Sequence, residues 1–261
     1  MFFRFDCFFL FIISNFAFRI MNEKTRAIVL HTLKYGDSKV IVDLLCRATG
    51  RTACIVSVPR TRNGRVQLQA LQPLTLLDAE LSVRPGARLQ RIRDMRMPHP
   101  FASIPFSPGK MSIALFLAEF LYHATRGEQR NEALFDYVEK SISWLDGCLP
   151  PYASFHLVFM MHVARFIGFY PNVDDYRDGD LFDLRDAVFT SDVPCHPDCL
   201  SPEDAARLHR LVRMDYATMR LFAMSHDDRN RIAEGILRYY RLHVDGFPEM
   251  RSLAVLRELW K

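Results

Sequence analysis

Most of what would announce an enzyme is missing from these 261 residues. There is no G-x-x-x-x-G-K-[ST] loop to cradle a nucleotide and no G-x-G-x-x-G fingerprint to close on a dinucleotide. G-x-S-x-G and H-E-x-x-H are absent as well, so neither a nucleophile elbow nor a helical pair of zinc ligands is encoded. No internal repeat or low-complexity tract occurs. Long apolar runs are lacking too. In the leader, residues 1–20, the uninterrupted run Cys7–Ile13 is too short for a span of about 20 residues. Asp6, Asn15 and Arg19 break its flanks, and no small-residue cleavage site follows. The expected start is Met21, with residues 1–20 a spurious or disordered extension. A membrane-tethered scaffold is the alternative that would need them. The six cysteines (Cys7, Cys46, Cys54, Cys148, Cys195 and Cys199) are scattered, with no disulfide framework, which points to a reducing cytoplasm.

Other candidate chemistry also thins out on inspection. Cys195 and Cys199 form P-C-x-x-x-C with no preceding H-x-E, which excludes a zinc deaminase centre. His156 and His162 lie six apart on a predicted helix, on roughly opposite faces, and make a poor metal pair. Asp174, Asp175, Asp178 and Asp180 lack the glycine and terminal glutamate spacing of a calcium loop and read as solvated carboxylates.

What is present is an asymmetry of charge. Residues 21–100 carry 14 Lys+Arg against 6 Asp+Glu, whereas residues 101–261 carry 18 against 23. The first part is therefore basic and β-rich, a composition suited to binding a phosphate backbone. β-Branched and aliphatic runs predict strands over Arg26–Thr32, Lys39–Cys46 and Thr52–Val58, bounded by Tyr35-Gly36-Asp37-Ser38 and by Ala48-Thr49-Gly50. Pro59-Arg-Thr-Arg-Asn-Gly-Arg65 has too little apolar content to pack and reads as an exposed basic loop holding Arg60, Arg62 and Arg65. Two more strands, Leu74–Val83 and Leu89–Arg96, flank a turn at Arg84-Pro85-Gly86-Ala87. In the second of them Arg91 and Arg93 fall on one face with period two. Five short strands suit a barrel of the OB type, whose sheet face and loops bind oligonucleotides; an SH3-like barrel fits the same pattern.

After four prolines between Pro98 and Pro108, read as a linker, the period changes to that of helices. Met111–Thr125, Glu132–Leu145 and Tyr152–Phe169 are predicted helices, and the stripe Phe155, Phe159, Phe166 and Phe169 is predicted core. Residues 172–200 read as an irregular insertion. Ser201 before Pro202, Glu203 and Asp204 signals the start of a helical tail, with Phe222, Ile232, Ile236, Leu237 and Tyr240 on its apolar side. The expected fold is α+β and multidomain. An N-terminal five-stranded OB-fold β-barrel (21–100) is followed by an all-α helical domain (101–261).

Several short stretches fall in an order that resembles the RecO family of bacterial recombination mediators, from Met21 nearly to the end. They are Thr25-Arg26-Ala27-Ile28-Val29-Leu30, Tyr35-Gly36-Asp37-Ser38, Thr49-Gly50-Arg51 and Ala70-Leu71-Gln72-Pro73-Leu74 in the first half. Leu134-Phe135-Asp136-Tyr137 and Ile167-Gly168-Phe169-Tyr170-Pro171 follow in the second. The resemblance implies a non-enzymatic DNA repair protein that binds single- and double-stranded DNA and anneals strands. It also implies partnership with RecR and with single-stranded-DNA-binding protein, so that RecA can load. The implied setting is cytoplasmic and nucleoid-associated, and an RNA-binding OB protein is the other reading of the same basic barrel.

Expected backbone contacts are Arg26, Lys34, Lys39, Arg51, Arg60, Arg62, Arg65, Arg91 and Arg93, with Tyr35 for base stacking. The family also grips the acidic, phenylalanine-ended tail of single-stranded-DNA-binding protein. By position Phe120, Leu121, Ile167 and Gly168 are candidate lining for that slot, with Arg126 or Arg165 as the cation. Many members bind zinc through two cysteine pairs. Here Asn172-Val173-Asp174-Asp175-Tyr176 replaces the first pair and only Cys195 and Cys199 remain, so no zinc, and no other cofactor, is expected.

Overall fold

The computed structural model describes residues 20–59 and 61–258; the leader before Ile20 and Arg60 lie outside the described residues. The chain gathers into two compact units. One holds the residues up to Pro100 together with Gly127–Glu132, and the other holds Phe101–Arg126 and the chain from Ala133 onward.

The first unit is a closed barrel with strand order β1-β2-β3-β5-β4. Its strands are β1 (Met21–Tyr35), β2 (Lys39–Cys46), β3 (Gly50–Ser57), β4 (Leu76–Val83) and β5 (Gln90–Arg96). The predicted second strand is matched residue for residue. The predicted first strand proves longer, because its first half pairs with β4 (Met21↔Val83 to Ile28↔Leu76) and its second with β2 (Ala27↔Cys46 to Tyr35↔Lys39). All pairings are antiparallel except the junction of β3 with β5, which is parallel and holds only Cys54↔Gln90 and Ile55↔Arg91. This is an OB-like barrel. Alternate residues fill it: Val40, Val42, Leu44 and Cys46 from β2, Cys54 and Val56 from β3, and Leu77, Ala79 and Leu81 from β4. Each fully buried Val or Leu contributes about 1.5–3 kcal/mol.

The expected basic loop is corrected. Arg62–Ala70 is a helix, α1, entered through Thr61 in an extended conformation. Its far end supplies Ala70 and then Leu71 to the barrel core, and Thr32 Oγ1 donates to Leu71 O at 2.9 Å. Burial of these apolar residues outweighs the three-cation sequence that suggested a loop. The helix folds back so tightly that a Cβ on Gly64 would lie 1.7 Å from Pro59 O. A second close approach occurs at Gly50, whose φ is +71°, where a Cβ would meet the Gln129 carbonyl at 2.3 Å. Gln129 belongs to the 127–132 segment, whose Glu128 O accepts from Arg51 N at 3.0 Å.

The second unit is mainly helical: α2 (Pro108–Ala124), α3 (Glu132–Gly147), α4 (Phe155–Ile167), α5 (Pro202–Arg213), α6 (His226–His243) and α7 (Ser252–Glu258). The expected linker is shorter than read, because Ser107 caps α2 and Pro108 sits at its first turn, where its missing N–H costs nothing. Ser201 caps α5, its hydroxyl accepting from Asp204 N at 3.3 Å. Phe155 and Phe159 are fully buried, while Phe166 and Phe169 are half-buried. The expectation of an all-α domain is corrected too. β6 (Leu181–Asp183) pairs with β7 (Val188–Thr190) and with β8 (Cys199–Leu200), giving a three-stranded antiparallel sheet. Phe182 and Phe189, 4.8 Å apart, hold its buried side. Among the described residues no helix is long and apolar enough to cross a membrane.

Candidate nucleic-acid interface

The register of the barrel sets out a face that no single strand reveals. Across β1, β2, β3 and β5 the residues Leu33, Ile41, Ile55 and Arg91 stand opposite one another in turn. The next row is Tyr35, Lys39 and Ser57, and the row on the other side is His31, Asp43 and Ala53. These side chains point outward, since their neighbours Val40, Val42, Cys54 and Val56 are in the core. Leu33 and Tyr35 are 54% and 56% exposed, respectively. Ile41 and Ile55 are half-buried. The face is therefore an apolar strip with an aromatic ring at one end and cations along its margin.

Where β3 and β5 diverge beyond their two pairs, a groove of about 480 Å³ opens, lined by Lys39, Ile55, Ser57, Gln67, Arg91 and Arg93 among others. In β5 the register slips opposite Glu80/Leu81, so Arg93 has no partner across the ladder. This bulge leaves Arg93 and Asp94 both exposed between buried Ile92 and half-buried Met95. Lys34, Lys39, Arg84, Arg88, Arg91 and Arg93 form no ion pair among the described residues. The second unit differs: Arg185, Arg207, Arg231, Arg238 and Arg257 all sit against carboxylates.

The structure therefore brings together Tyr35, Lys39, Arg91 and Arg93 of the expected contacts. Lys34 points to the other side of its strand, into a separate groove of about 390 Å³ with Thr61, Gly64 and Leu68. Arg62 and Arg65 fall within α1. Arg26 is not part of this face. It pairs across to Asp78 and lines a depression with Lys24, Glu80 and Arg96. Arg51 lies on the outer side of β3 but is largely covered, its side chain 12% exposed and 3.3 Å from Asp43. His31 Nδ1 lies 3.7 Å from the same carboxylate. Leu33, Ile41, Ile55 and Gln67 were missed. Period-two alternation in β1 would have placed Leu33 inside, because it ignores the bulge at Leu30 between Val29↔Leu44 and His31↔Asp43.

The expected tail-binding residues separate into two groups. Phe120 and Leu121 have no exposed surface. The Phe120 ring packs on Tyr240 at 4.7 Å and Phe247 at 6.1 Å, so these two residues are core and line no open slot. Their helical spacing signalled a buried stripe and nothing more. Arg126, Arg165 and Gly168 are exposed and Ile167 half-buried, with the Arg165 guanidinium 5.9 Å from the Tyr170 ring.

Around Cys195 and Cys199, where the resemblance raised the question of zinc, the donors present do not fit a four-ligand site. Cys195 is exposed and Cys199 half-buried. His196 Nε2 stands 3.2 Å from Asp183 Oδ2. Asp198 is engaged by Arg185 at 2.6 Å and by Arg238 Nε at 2.9 Å, and these hydrogen bonds, Arg185 first, hold its carboxyl below the usual range. Among the described residues no three His, Cys, Asp or Glu side chains are placed to share an ion.

Fold and face together define an OB-like barrel protein with a mainly helical second unit. Residues 21–101 match the family model described as recombination protein O N terminal, and residues 105–253 match that described as recombination protein O C terminal. The chain is 48% identical over 240 residues to the DNA repair protein RecO of Phocaeicola vulgatus, covering 92% of this chain and 100% of that one. It is also 48% identical over 241 residues to DNA repair protein RecO of Bacteroides fragilis, with the same coverage. The RecO of Porphyromonas gingivalis is 30% identical over 242 residues, covering 90% of this chain and 98% of its own. The chain belongs to the recombination protein O family.

Proposed function

We propose that this protein serves DNA repair and recombination by binding single-stranded DNA on the outer face of its barrel, without making or breaking a bond. The observation that carries the reading is the row Leu33, Ile41, Ile55 with Tyr35 at its end, bordered by Lys39, Arg91 and Arg93, whose charges are unspent. An apolar strip of this kind accepts unpaired bases, which stack or lie flat upon it, while the cations hold the backbone. Stacked bases inside a duplex could not reach it. The names of the relatives, each a DNA repair protein, supply the biological setting.

Annealing follows from the same arrangement, since a strand held by its backbone and one base face leaves the other edge open to a complement. Partnership with RecR, capture of the tail of single-stranded-DNA-binding protein on the second unit, and the loading of RecA belong to the proposal, as does action in the cytoplasm without zinc. Ile167, Gly168, Arg126 and Arg165 remain the candidates for the tail.

The test is fluorescence anisotropy of a labelled single strand over a series of salt concentrations, with the wild type and a Lys39→Ala, Arg91→Ala, Arg93→Ala triple variant. Removing one phosphate-neutralising cation reduces the slope of log K against log salt by about 0.7, so the triple variant is expected to flatten it by about 2. Tyr35→Ala is expected to weaken binding about 5- to 100-fold, the value of one stacked base, with the slope unchanged. Wild-type affinity and slope in the triple variant would remove DNA from this face. Equal or tighter binding of an RNA of the same sequence would favour a ribose-reading function instead.

A further inference from the structure

The barrel is not the only place where cations stand apart from carboxylates. In the second unit, residues 101–261 hold 23 Asp+Glu against 18 Lys+Arg. Yet three exposed arginines there, Arg165, Arg210 and Arg213, form no ion pair among the described residues. Arg165 lies in the last turn of α4, and Arg210 and Arg213 lie in the last turn of α5. A helix end carries about half a negative charge, too little to satisfy two guanidiniums on α5. The two helix ends are tied together by Tyr170, whose hydroxyl donates to Val212 O at 2.8 Å and whose ring centre lies 5.9 Å from the Arg165 guanidinium. Arg213 and Arg210 both act on His209, which burial first and these two charges next hold below its ordinary pKa. The three cations thus follow one another across the ends of α4 and α5. Asp215, the carboxylate nearest to Arg213 in the chain, is taken up by Thr218, whose amide and hydroxyl both donate to it at 2.7 Å.

We infer that these arginines form a track for the acidic run of an extended peptide, which passes Arg165 and then Arg213 and Arg210, each guanidinium meeting a carboxylate. The inference rests on the tail capture proposed above, in which Arg165 is a candidate cation, and lengthens that site along α5. Side chains three apart on a helix stand about 5–6 Å from one another. Every second side chain of an extended peptide repeats at about 7 Å, so a run of acidic residues with alternate ones turned toward α5 matches Arg213 and Arg210. The rings decide between a peptide and a nucleic acid. Tyr176 stacks on His209 at 4.1 Å, and the Arg210 guanidinium lies 5.5 Å from the centre of the Phe222 ring, as Arg165 does over Tyr170. Faces that bases would need are thus engaged within the unit, whereas a guanidinium lying on a ring keeps the N–H groups of its edge for a carboxylate. Cations without open rings suit carboxylates better than bases.

Two peptides test this: a short acidic peptide ending in phenylalanine, and its counterpart with every Asp replaced by Asn. Each is titrated by calorimetry, at low and at high salt, against wild type and against Arg210→Ala with Arg213→Ala. The double variant is expected to bind the acidic peptide about tenfold more weakly at low salt, the worth of a charge-assisted hydrogen bond. That difference shrinks at high salt as screening sets in. The Asn peptide is expected to bind the double variant as it binds wild type, an outcome that general loss of structure would not give. Undiminished binding of the acidic peptide by the double variant overturns the track and leaves Arg126 and Arg165 standing; a simultaneous loss of single-stranded DNA would assign these cations to nucleic acid instead. Equal loss of both peptides overturns the track as well, because charge is then not what Arg210 and Arg213 supply. Failure of the wild type to bind either peptide overturns the track and the tail capture together.

Discussion

His156 shows how one side chain ties stability to pH. It is 4% exposed on α4, with its ring edge-on to Phe116 at 5.8 Å. Burial first, and the positive charge of Arg229 second, push its pKa down to about 3. The folded protein therefore keeps this imidazole neutral while the unfolded chain takes up a proton near the ordinary value of about 6.5. Stability is retained above that value and is lost as pH falls from about 6.5 toward 3, because the unfolded state binds the extra proton. Relative to a His156→Leu variant, wild-type unfolding free energy is expected to fall by on the order of 1.4 kcal/mol per pH unit through that window. Urea unfolding at pH 7, 6, 5 and 4 checks it; parallel curves for the two proteins would show that His156 is not the group responsible.

Among the elements, the three-stranded sheet β6–β8 is tied down by polar contacts. Arg185 and Arg238 converge on Asp198, and Arg238 also donates to Pro197 O at 2.7 Å. His196 meets Asp183, and the Tyr176 ring stacks on His209 at 4.1 Å. Asp198→Ala is expected to lower the melting temperature by several degrees, whereas a chelator such as EDTA leaves it unchanged. A fall in melting temperature on chelation would show that metal holds this segment after all. The sheet was not legible in sequence, because strands of two or three residues carry too little periodicity to stand out among Asp, Pro and Gly. β2 was legible because Val40, Val42 and Leu44 alternate without interruption between two turn signals. α1 was not: Arg62, Gly64 and Arg65 favour a loop locally, and only the burial of Ala70 and Leu71 at its end makes a helix worthwhile. In the candidate site, Arg91 and Arg93 could be placed on one face by period two. Arg26 and Arg51 look equally available in sequence, yet the register sets Arg26 opposite Asp78 and the Arg51 side chain reaches diagonally to Asp43.

For the molecule as a whole, charge is distributed in two ways. The barrel unit leaves cations unpaired along one seam, while in the second unit Arg185, Arg207, Arg231, Arg238 and Arg257 sit against carboxylates. The two units are thus expected to fail independently. A Lys39, Arg91, Arg93 to alanine variant should lose single-stranded DNA and still bind the acidic tail peptide of single-stranded-DNA-binding protein. Arg126→Ala with Arg165→Ala should weaken the peptide about tenfold or more, the worth of a charge-assisted pair, and leave DNA binding intact. Calorimetry with both ligands on both variants decides. Tail binding at wild-type strength in the second variant removes those two arginines from the peptide site.

The bulge at Leu30 acts on β1 as a single inserted beat acts on a rhythm. Before it, odd-numbered residues such as Ala27 and Val29 face the core; after it, odd-numbered His31, Leu33 and Tyr35 face out. A chain one residue shorter at this point would keep every side chain of the binding face in its sequence and lose the face itself, with Leu33 and Tyr35 swung inward and Thr32 and Lys34 swung out. This chain's tolerance of change along the strand is therefore set by parity rather than by composition. Substitutions can accumulate on either side of Leu30, but insertions or deletions between Val29 and Tyr35 are tolerable only in pairs.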